Sequence, residues 1–181
     1  MQTRFSEELE KIVEYARDEA MRTGYYAICT EHLLLGMLRH SGNKACNLLV
    51  SLGEDLDQLK RRIDAQILKS RSIPYEEMDD IYLSRESQNT LSLSVLEASM
   101  RGVTEAGSAE LLLALTRSEG DPCREMLATS GIDRAAILAL LGKENEIRAA
   151  SVPPAEDIQK ALLFGLDQAS NFIDNDTKIL S

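Results

Sequence analysis

The chain has 181 residues, of which 44% are hydrophobic and only 4% aromatic, and it contains no tryptophan. A core rich in Leu and Ala but poor in aromatic residues is typical of close-packed helices rather than of a β-sandwich. The formal net charge of −10 argues against nucleic-acid and anionic-membrane partners, because both are bound through clustered Lys and Arg side chains.

Three cysteines, Cys29, Cys46 and Cys123, lie at wide spacings without a Cys-x-x-Cys pair. This pattern argues against a disulfide framework and favours a reducing cytoplasm. The N-terminus turns acidic at once and lacks the apolar segment of a signal peptide. No apolar run approaches the ~20 residues of a membrane span. We therefore expect a cytoplasmic protein.

Helix signals begin at Ser6, a candidate N-cap, and the apolar stripe that follows it is typical of an amphipathic helix. That stripe consists of Leu9, Ile12, Val13, Ala16 and Ala20. Gly24 is placed to end this first helix as a C′ residue.

Thr30 is the predicted N-cap of a second helix, in which Glu31 suits the positive end of the helix dipole. Residues 33–38 are apolar on most of the helix circumference, so this helix is expected to be internal. A third helix is predicted over about 44–53, and a fourth follows Asp55. Its inner stripe is Leu56, Leu59, Ile63 and Ile67.

The second half repeats the first at a fixed offset of 78 residues, without gaps. The matching pairs include Ser6 and Ser84, Glu19 and Glu97, Gly24 and Gly102, Thr30 and Ser108, Gly42 and Gly120, Leu49 and Leu127, Gly53 and Gly131, and Asp55 and Asp133. Ser108 is accordingly the predicted N-cap of the second internal helix. The pattern predicts two copies of one four-helix unit around a pseudo-twofold axis.

Two segments lack this pattern. Residues 69–82 lose the helical periodicity around Pro74 and are predicted to link the two repeats. After Gly142, residues 143–154 are a predicted linker, 155–172 a further amphipathic helix and 173–181 a frayed tail. The predicted fold class is all-α, with two pseudo-symmetric four-helix repeats in an eight-helix bundle and an extra C-terminal helix.

Four features of the sequence resemble a known domain. They are the Phe5-Ser6 pair, the long first helix, the Leu52-Gly53 turn and above all the run T-E-H-L-L-L-G-M-L at 30–38. This is the N-terminal repeat (Clp R) domain of Clp AAA+ unfoldases, most closely the ClpC and ClpA type. The boundaries predicted on this basis are 4–142 for the domain, about 4–68 and 83–142 for its repeats, and 143–181 for the remainder. The resemblance implies a domain that sits above an ATPase ring. There it binds adaptor proteins and substrates for unfolding and for degradation by the ClpP peptidase.

The resemblance also implies phospho-arginine sites, each formed by a hydroxyl near the start of a repeat and the Glu after the capping Thr. The first-repeat pair would be Ser6 and Glu31, and Ser84 keeps the hydroxyl in the second repeat. Ala109 stands where the second Glu would be. Because a guanidinium needs a carboxylate partner, about one site is expected.

The sequence contains no G-x-x-x-x-G-K-[ST] motif, so no nucleotide hydrolysis is expected from this chain. The expected function is binding of adaptors or substrates for a Clp-type ATP-dependent unfoldase, with a Clp ATPase or a ClpP-type peptidase as further partners. The alternative is a free-standing accessory protein that docks on the Clp complex and regulates or stabilises it. Met1 and the unmatched tail slightly favour a free-standing protein over a piece of a larger unfoldase.

The sequence gives little support for catalysis or metal binding. Cys29 and His32 formally suggest a nucleophile and base, which leaves a Cys-dependent hydrolase as a remote alternative. No third group is evident to orient the base, so no catalytic residue is predicted. His32 and His40 are eight residues apart, too far for i, i+4 zinc ligation, and neither a metal nor another cofactor is expected. The acidic run at 76–80 is interpreted as a solvated loop, although it could attract basic adaptors.

Overall fold

The computed structural model describes residues 4–40 and 42–151, with side chains as far as residue 147. The helices are α1 (Glu7–Thr23), α2 (Thr30–Arg39), α3 (Lys44–Ser51), α4 (Leu56–Ile67), α5 (Arg85–Met100), α6 (Ser108–Leu115), α7 (Pro122–Thr129) and α8 (Arg134–Ser151). The short elements are a 3-10 helix (Tyr75–Asp80) and the strands β1 (Arg4–Phe5), β2 (Ala27–Ile28), β3 (Tyr82–Leu83) and β4 (Glu105–Ala106). Within the described residues, a first compact unit extends to residue 139, and a second begins at residue 140 within α8.

The predicted all-α fold with two four-helix repeats is confirmed, since α1–α4 and α5–α8 follow in the same order. The duplication extends to the backbone conformation at the turns. Among the described residues, the glycines with positive φ fall into pairs 78 residues apart: Gly24 and Gly102 (89° and 70°), Gly42 and Gly120 (81° and 78°), and Gly53 and Gly131 (91° and 75°). Left-handed backbone suits glycine because it has no Cβ.

Four short strands, which the sequence did not predict, join the two repeats. β1 pairs in parallel with β4, with Arg4 opposite Glu105, and β2 pairs in parallel with β3, with Ala27 opposite Tyr82. Arg4 and Tyr82 lie 78 residues apart, as do Ala27 and Glu105. The two ladders are therefore related by the pseudo-twofold axis, and each takes one strand from each repeat.

The central helices are α2 and α6. Their leucines at 33–35 and 111–113 are at most 1% exposed, which confirms that these helices are internal. α1 packs along α2, and α5 along α6. Each long helix also buries one carboxylate that is paired with an arginine: Glu19 Oε1 lies 3.8 Å from Arg39 Nη1, and Glu97 Oε1 lies 3.2 Å from Arg117 Nη1. Such pairing makes a buried charge tolerable.

The predicted N-cap role of Thr30 is wrong. α2 begins at Thr30, and Cys29 is its N-cap residue. The Thr30 hydroxyl donates to Asp121 Oδ1 (3.3 Å) at the start of α7 in the other repeat. The backbone N–H of Cys29 donates to His32 Nδ1 (2.9 Å), so a side chain within the helix satisfies this end of α2.

Ser108 differs from its prediction in the same way. α6 begins at Ser108, with Gly107 as the N-cap residue, and the Gly107 N–H donates to Glu110 Oε2 (2.9 Å). The Ser108 hydroxyl accepts from the Ala45 N–H (3.1 Å) in α3 of the other repeat. Both hydroxyls join the repeats instead of capping their own helices, and local sequence does not reveal such a tertiary contact.

The predicted linkers contain regular structure. The 3-10 helix and β3 lie within or at the end of 69–82, and α8 continues through Gly142 to Ser151, into the predicted linker at 143–154. One glycine inside a helix costs only about 1 kcal/mol relative to alanine, and the residues after it are mostly good helix formers. The helix predicted at 155–172 and the tail at 173–181 lie outside the described residues.

Gly36 marks a close approach of α2 to α1. A Cβ at Gly36 would lie 2.5 Å from the Ile12 carbonyl oxygen and 2.8 Å from the Ala16 nitrogen, both backbone atoms of α1. We predict that Gly36→Ala lowers the free energy of unfolding by roughly 1–3 kcal/mol, because the two helices must move apart. Urea denaturation measures the change.

Gly142→Ala is the matched control. Gly142 is also helical, but a Cβ there would meet nothing within 4 Å, so alanine should raise the free energy of unfolding by up to about 1 kcal/mol. Equal effects of the two substitutions would contradict the importance of the close approach at Gly36.

Candidate functional site

A cavity of about 440 Å³ lies where the N-terminal ends of α2, α5 and α7 meet, and it is therefore built from both repeats. Its lining consists of Cys29, Thr30, Glu31, Ser84, Glu86, Asn89, Thr90, Ser118, Glu119, Gly120, Asp121 and Pro122. Two of the predicted binding residues, Glu31 and Ser84, are among them. The structure thus brings together residues 53 positions apart in the sequence.

The β2–β3 ladder places Ser84 beside the start of α2. The Ser84 N–H donates to the Ile28 carbonyl oxygen (3.1 Å), two residues before α2 begins. Ser84 is also the N-cap of α5, where its hydroxyl accepts from the Ser87 N–H (3.1 Å). The Ser84 side chain is therefore fixed at a helix end and at the cavity wall together.

Glu31 supplies a half-buried carboxylate at the N-terminal end of α2. Burial raises the pKa of this carboxyl, and the nearby Asp121 carboxylate raises it further. Hydrogen bonds from its own backbone N–H and from Thr30 lower the pKa and so favour the charged form. A cationic ligand would offset both the cost of burying the Glu31 charge and its repulsion by Asp121.

The lining is strongly acidic. It contains the carboxylates of Glu31, Glu86, Glu119 and Asp121, and no Lys, Arg or His of the described residues lines it. Helix N-termini add positive backbone ends at the same wall. The cavity therefore offers carboxylates for a cation and helix N–H groups for an anion.

Ser6 does not share this cavity, so the expected pairing of Ser6 with Glu31 is wrong. Because the strands are exchanged between repeats, Ser6 lies at the start of α6: its N–H donates to the Ala106 carbonyl oxygen (2.9 Å). At this symmetry-related position Ala109 replaces Glu31, and the Ser108 N–H already donates to Glu8 Oε1 (2.8 Å). The structure therefore brings Glu31 together with Ser84, and not with Ser6, at one cavity.

Comparison with known sequences identifies the fold family. The sequence profile of the Clp repeat (R) N-terminal domain matches residues 4–130. The chain belongs to this family. The resemblance seen in the T-E-H-L-L-L-G run is thereby confirmed.

The relatives of this Clp repeat domain are much longer proteins. ClpC/MecB of Bacillus subtilis, named as a negative regulator of genetic competence, is 29% identical over 143 residues, which are 77% of this chain and 17% of that protein. The chaperone protein ClpB of Oceanobacillus iheyensis is 29% identical over 150 residues, 81% of this chain and 18% of ClpB. The chain thus spans less than a fifth of the length of either relative.

A solved structure shares the fold. The N-terminal domain of the chaperone ClpD from Arabidopsis thaliana superimposes with a TM-score of 0.58 at 17% identity, over 76% of this chain and 96% of that domain. The mainly helical fold of this Clp repeat domain thus matches nearly the whole length of the ClpD N-terminal domain.

Cys29 and His32 do not form a nucleophile and base in this Clp repeat domain. His32 is fully buried, and its Nδ1 accepts from the backbone N–H of Cys29, so Nε2 carries the ring proton and lies 2.9 Å from Thr23 Oγ1. The Cys29 thiol donates to the Ala27 carbonyl oxygen (3.7 Å), and burial together with Glu31 raises its pKa. A protonated thiol beside an engaged imidazole is a poor nucleophile.

The part of the chain that the structure describes contains neither a metal-binding cluster nor a membrane-spanning helix. No group of three or more His, Cys, Asp or Glu side chains is arranged there to hold a metal ion. Over the same residues, every helix is too short or too polar to cross a bilayer.

Glu86, Glu119 and Asp121 also line the cavity, and no sequence pattern predicted them there. Asp121 had a readable local signal, because an Asp-Pro pair often begins a helix, and Asp121 indeed caps α7 by accepting from the Cys123 N–H (2.8 Å). Its approach to Thr30 depends on contact between the repeats, which no local pattern reports.

Protonation of His32 is predicted to destabilise the Clp repeat domain. Burial, with smaller effects of Arg22 and Lys69, lowers the His32 pKa from 6.5 to about 4. Between these values the unfolded chain binds a proton that the folded chain does not. The stability that the lowered pKa of His32 contributes is therefore fully present above pH 6.5. It is lost as the pH falls toward 4, and the free energy of unfolding decreases by about 3 kcal/mol in total. Urea denaturation between pH 7 and 4 measures the loss.

His32→Gln removes the titrating group and should flatten this part of the pH dependence, although the variant will be less stable at pH 7 because it disturbs two buried hydrogen bonds. His40→Gln removes the other histidine and serves as the control. An unchanged wild-type slope in His32→Gln would contradict the assignment.

Proposed function

We propose that this Clp repeat domain is a binding module that recognises adaptor proteins or substrates of a Clp-type ATP-dependent unfoldase, without catalysis of its own. The observation that carries the proposal is the cavity shared by the two repeats, where Glu31, Ser84 and the start of α2 meet. The membership of the chain in the Clp repeat family supports it.

The proposed ligand group is a guanidinium-containing side chain. Glu31 offers a half-buried carboxylate, and Glu86 and Asp121 add negative charge at the same wall. A guanidinium binds carboxylates through charge-assisted and often bidentate hydrogen bonds. The start of α2 offers hydrogen bonds to an anionic group on the same ligand, as in phospho-arginine. The Ser84 hydroxyl, which donates to Ser87 Oγ (3.1 Å), would turn to the ligand.

The energy for unfolding is proposed to come from outside these 181 residues. The sequence has no P-loop, and relatives such as ClpB are proteins of which the matched region is less than a fifth. A Clp ATPase is therefore the proposed immediate partner, with a ClpP-type peptidase acting on the unfolded product. The domain contributes selection of the polypeptide.

Free phospho-arginine is predicted to bind weakly, at one site per chain. Glu31→Ala should reduce its affinity roughly tenfold to a hundredfold, because a hydrogen bond to a charged group contributes about 1.5–3 kcal/mol. Isothermal titration calorimetry gives both the affinity and the stoichiometry. Unchanged binding in Glu31→Ala would end the assignment.

Ser84→Ala and Ser6→Ala form a matched pair. Each removes a side-chain N-cap from a long helix, so each should cost about 1 kcal/mol of stability. Only Ser84→Ala should also weaken phospho-arginine binding, because only Ser84 lines the cavity. Equal weakening by both variants would mean that the loss follows from stability and not from contact.

A further inference from the structure

Three of the five tyrosines, Tyr26, Tyr75 and Tyr82, are 47%, 74% and 63% exposed. They lie in one region of the first unit. The Tyr82 N–H donates to the Tyr26 carbonyl oxygen (2.9 Å), and the Tyr26 hydroxyl donates to Glu77, two residues after Tyr75. Exposed tyrosines are frequent in binding sites, because they bury a large area at little cost in conformational entropy.

The 3-10 helix that contains Tyr75 and contacts Tyr26 is acidic. Four of the six residues in the 3-10 helix are acidic, and the helix has no buried residue. No Lys or Arg occurs between 72 and 84. Within the described part of the chain, none of the four carboxylates forms an ion pair. We call Tyr26, Tyr75, Glu76, Glu77, Asp80 and Tyr82 the tyrosine–carboxylate surface.

The fold itself does not require this surface. In the symmetry-related β1–β4 ladder, Arg4 stands in place of Tyr82, and Thr104 in place of Tyr26. There Arg4 Nε pairs with Glu105 Oε1 at 3.0 Å, so the local charge is balanced. Because the same ladder forms there without exposed tyrosines, strand pairing does not account for Tyr26 and Tyr82.

We propose that the tyrosine–carboxylate surface binds an arginine-rich segment of a partner protein. Guanidinium groups stack on tyrosine rings and form bidentate hydrogen bonds with carboxylates, which lysine does not match. The three carboxylates of this surface form no ion pair within the described part of the chain, so they favour a basic segment over a neutral or acidic one. The surface lies outside the Glu31–Ser84 cavity, although Tyr82 is only two residues before Ser84, and the inference does not depend on the proposed function.

Fluorescence anisotropy with a labelled decapeptide of alternating Gly and Arg tests the proposal. The same peptide with Lys should bind more weakly, and with Glu it should not bind. Tyr75→Ala and Tyr82→Ala should each weaken binding of the Arg peptide roughly two- to fivefold, as expected for an exposed cation–π contact. Both side chains are exposed, so the variants should fold, which circular dichroism checks.

Two control variants test whether the loss of any exposed apolar side chain weakens peptide binding. Val50→Ala and Met100→Ala remove apolar side chains of similar exposure, 56% and 61%, and should leave the affinity unchanged.

A second control addresses charge. The double variants Glu76→Gln with Asp80→Asn, and Glu10→Gln with Glu14→Gln, each remove two negative charges. Only the first should weaken Arg-peptide binding, by roughly tenfold at low salt.

Four outcomes would overturn the proposal. Equal losses of affinity in the two charge variants, or full affinity in both tyrosine variants, would mean that peptide binding depends on the net charge of the protein alone. Equal binding of the Lys and Arg peptides would remove the role of stacking. Loss of binding in Glu31→Ala would place the peptide in the cavity instead.

Discussion

Pairing of two-residue strands between the repeats is the constraint on which the candidate site depends. Each ladder takes one strand from each repeat, so the helix that follows a strand starts beside a helix of the other repeat. The hydrogen bond from the Ser84 N–H to the Ile28 carbonyl oxygen fixes this for α5 and α2. A slip of one residue would turn the strand side chains to the opposite face and change which hydroxyl lines the cavity.

Symmetry of the backbone does not extend to the chemistry. At the start of α2, Glu31 faces an open cavity that also includes Glu86. At the start of α6, Ala109 carries no charge, and Glu8 accepts from the Ser108 N–H. Glu8 and Glu86 lie 78 residues apart and are therefore equivalent, but Glu8 binds a backbone N–H whereas Glu86 lines the cavity. The start of α2 thus combines a carboxylate with a cavity, whereas at the start of α6 the Ser108 N–H is already bonded to Glu8 and the carboxylate is absent.

The helices and the duplication could be predicted from sequence because leucines, glycines and buried polar residues recur at one offset. Gly24 and Gly102 both take the left-handed conformation that a helix end favours, and local chemistry determines this. The strands could not be predicted, since two residues are too few to show an alternating pattern. The contacts of Thr30 with Asp121 and of Ser108 with Ala45 connect distant segments, so the N-cap interpretation, although locally reasonable, was wrong.

Strand exchange also bears on how such a chain arises. One repeat alone would leave two strands without partners, and a second identical copy would supply both of them through a closed, self-complementary interface. The geometry is that of a symmetric homodimer whose subunits have been joined by residues 69–82. Within one chain the two halves can diverge separately, whereas in a true homodimer every substitution appears twice.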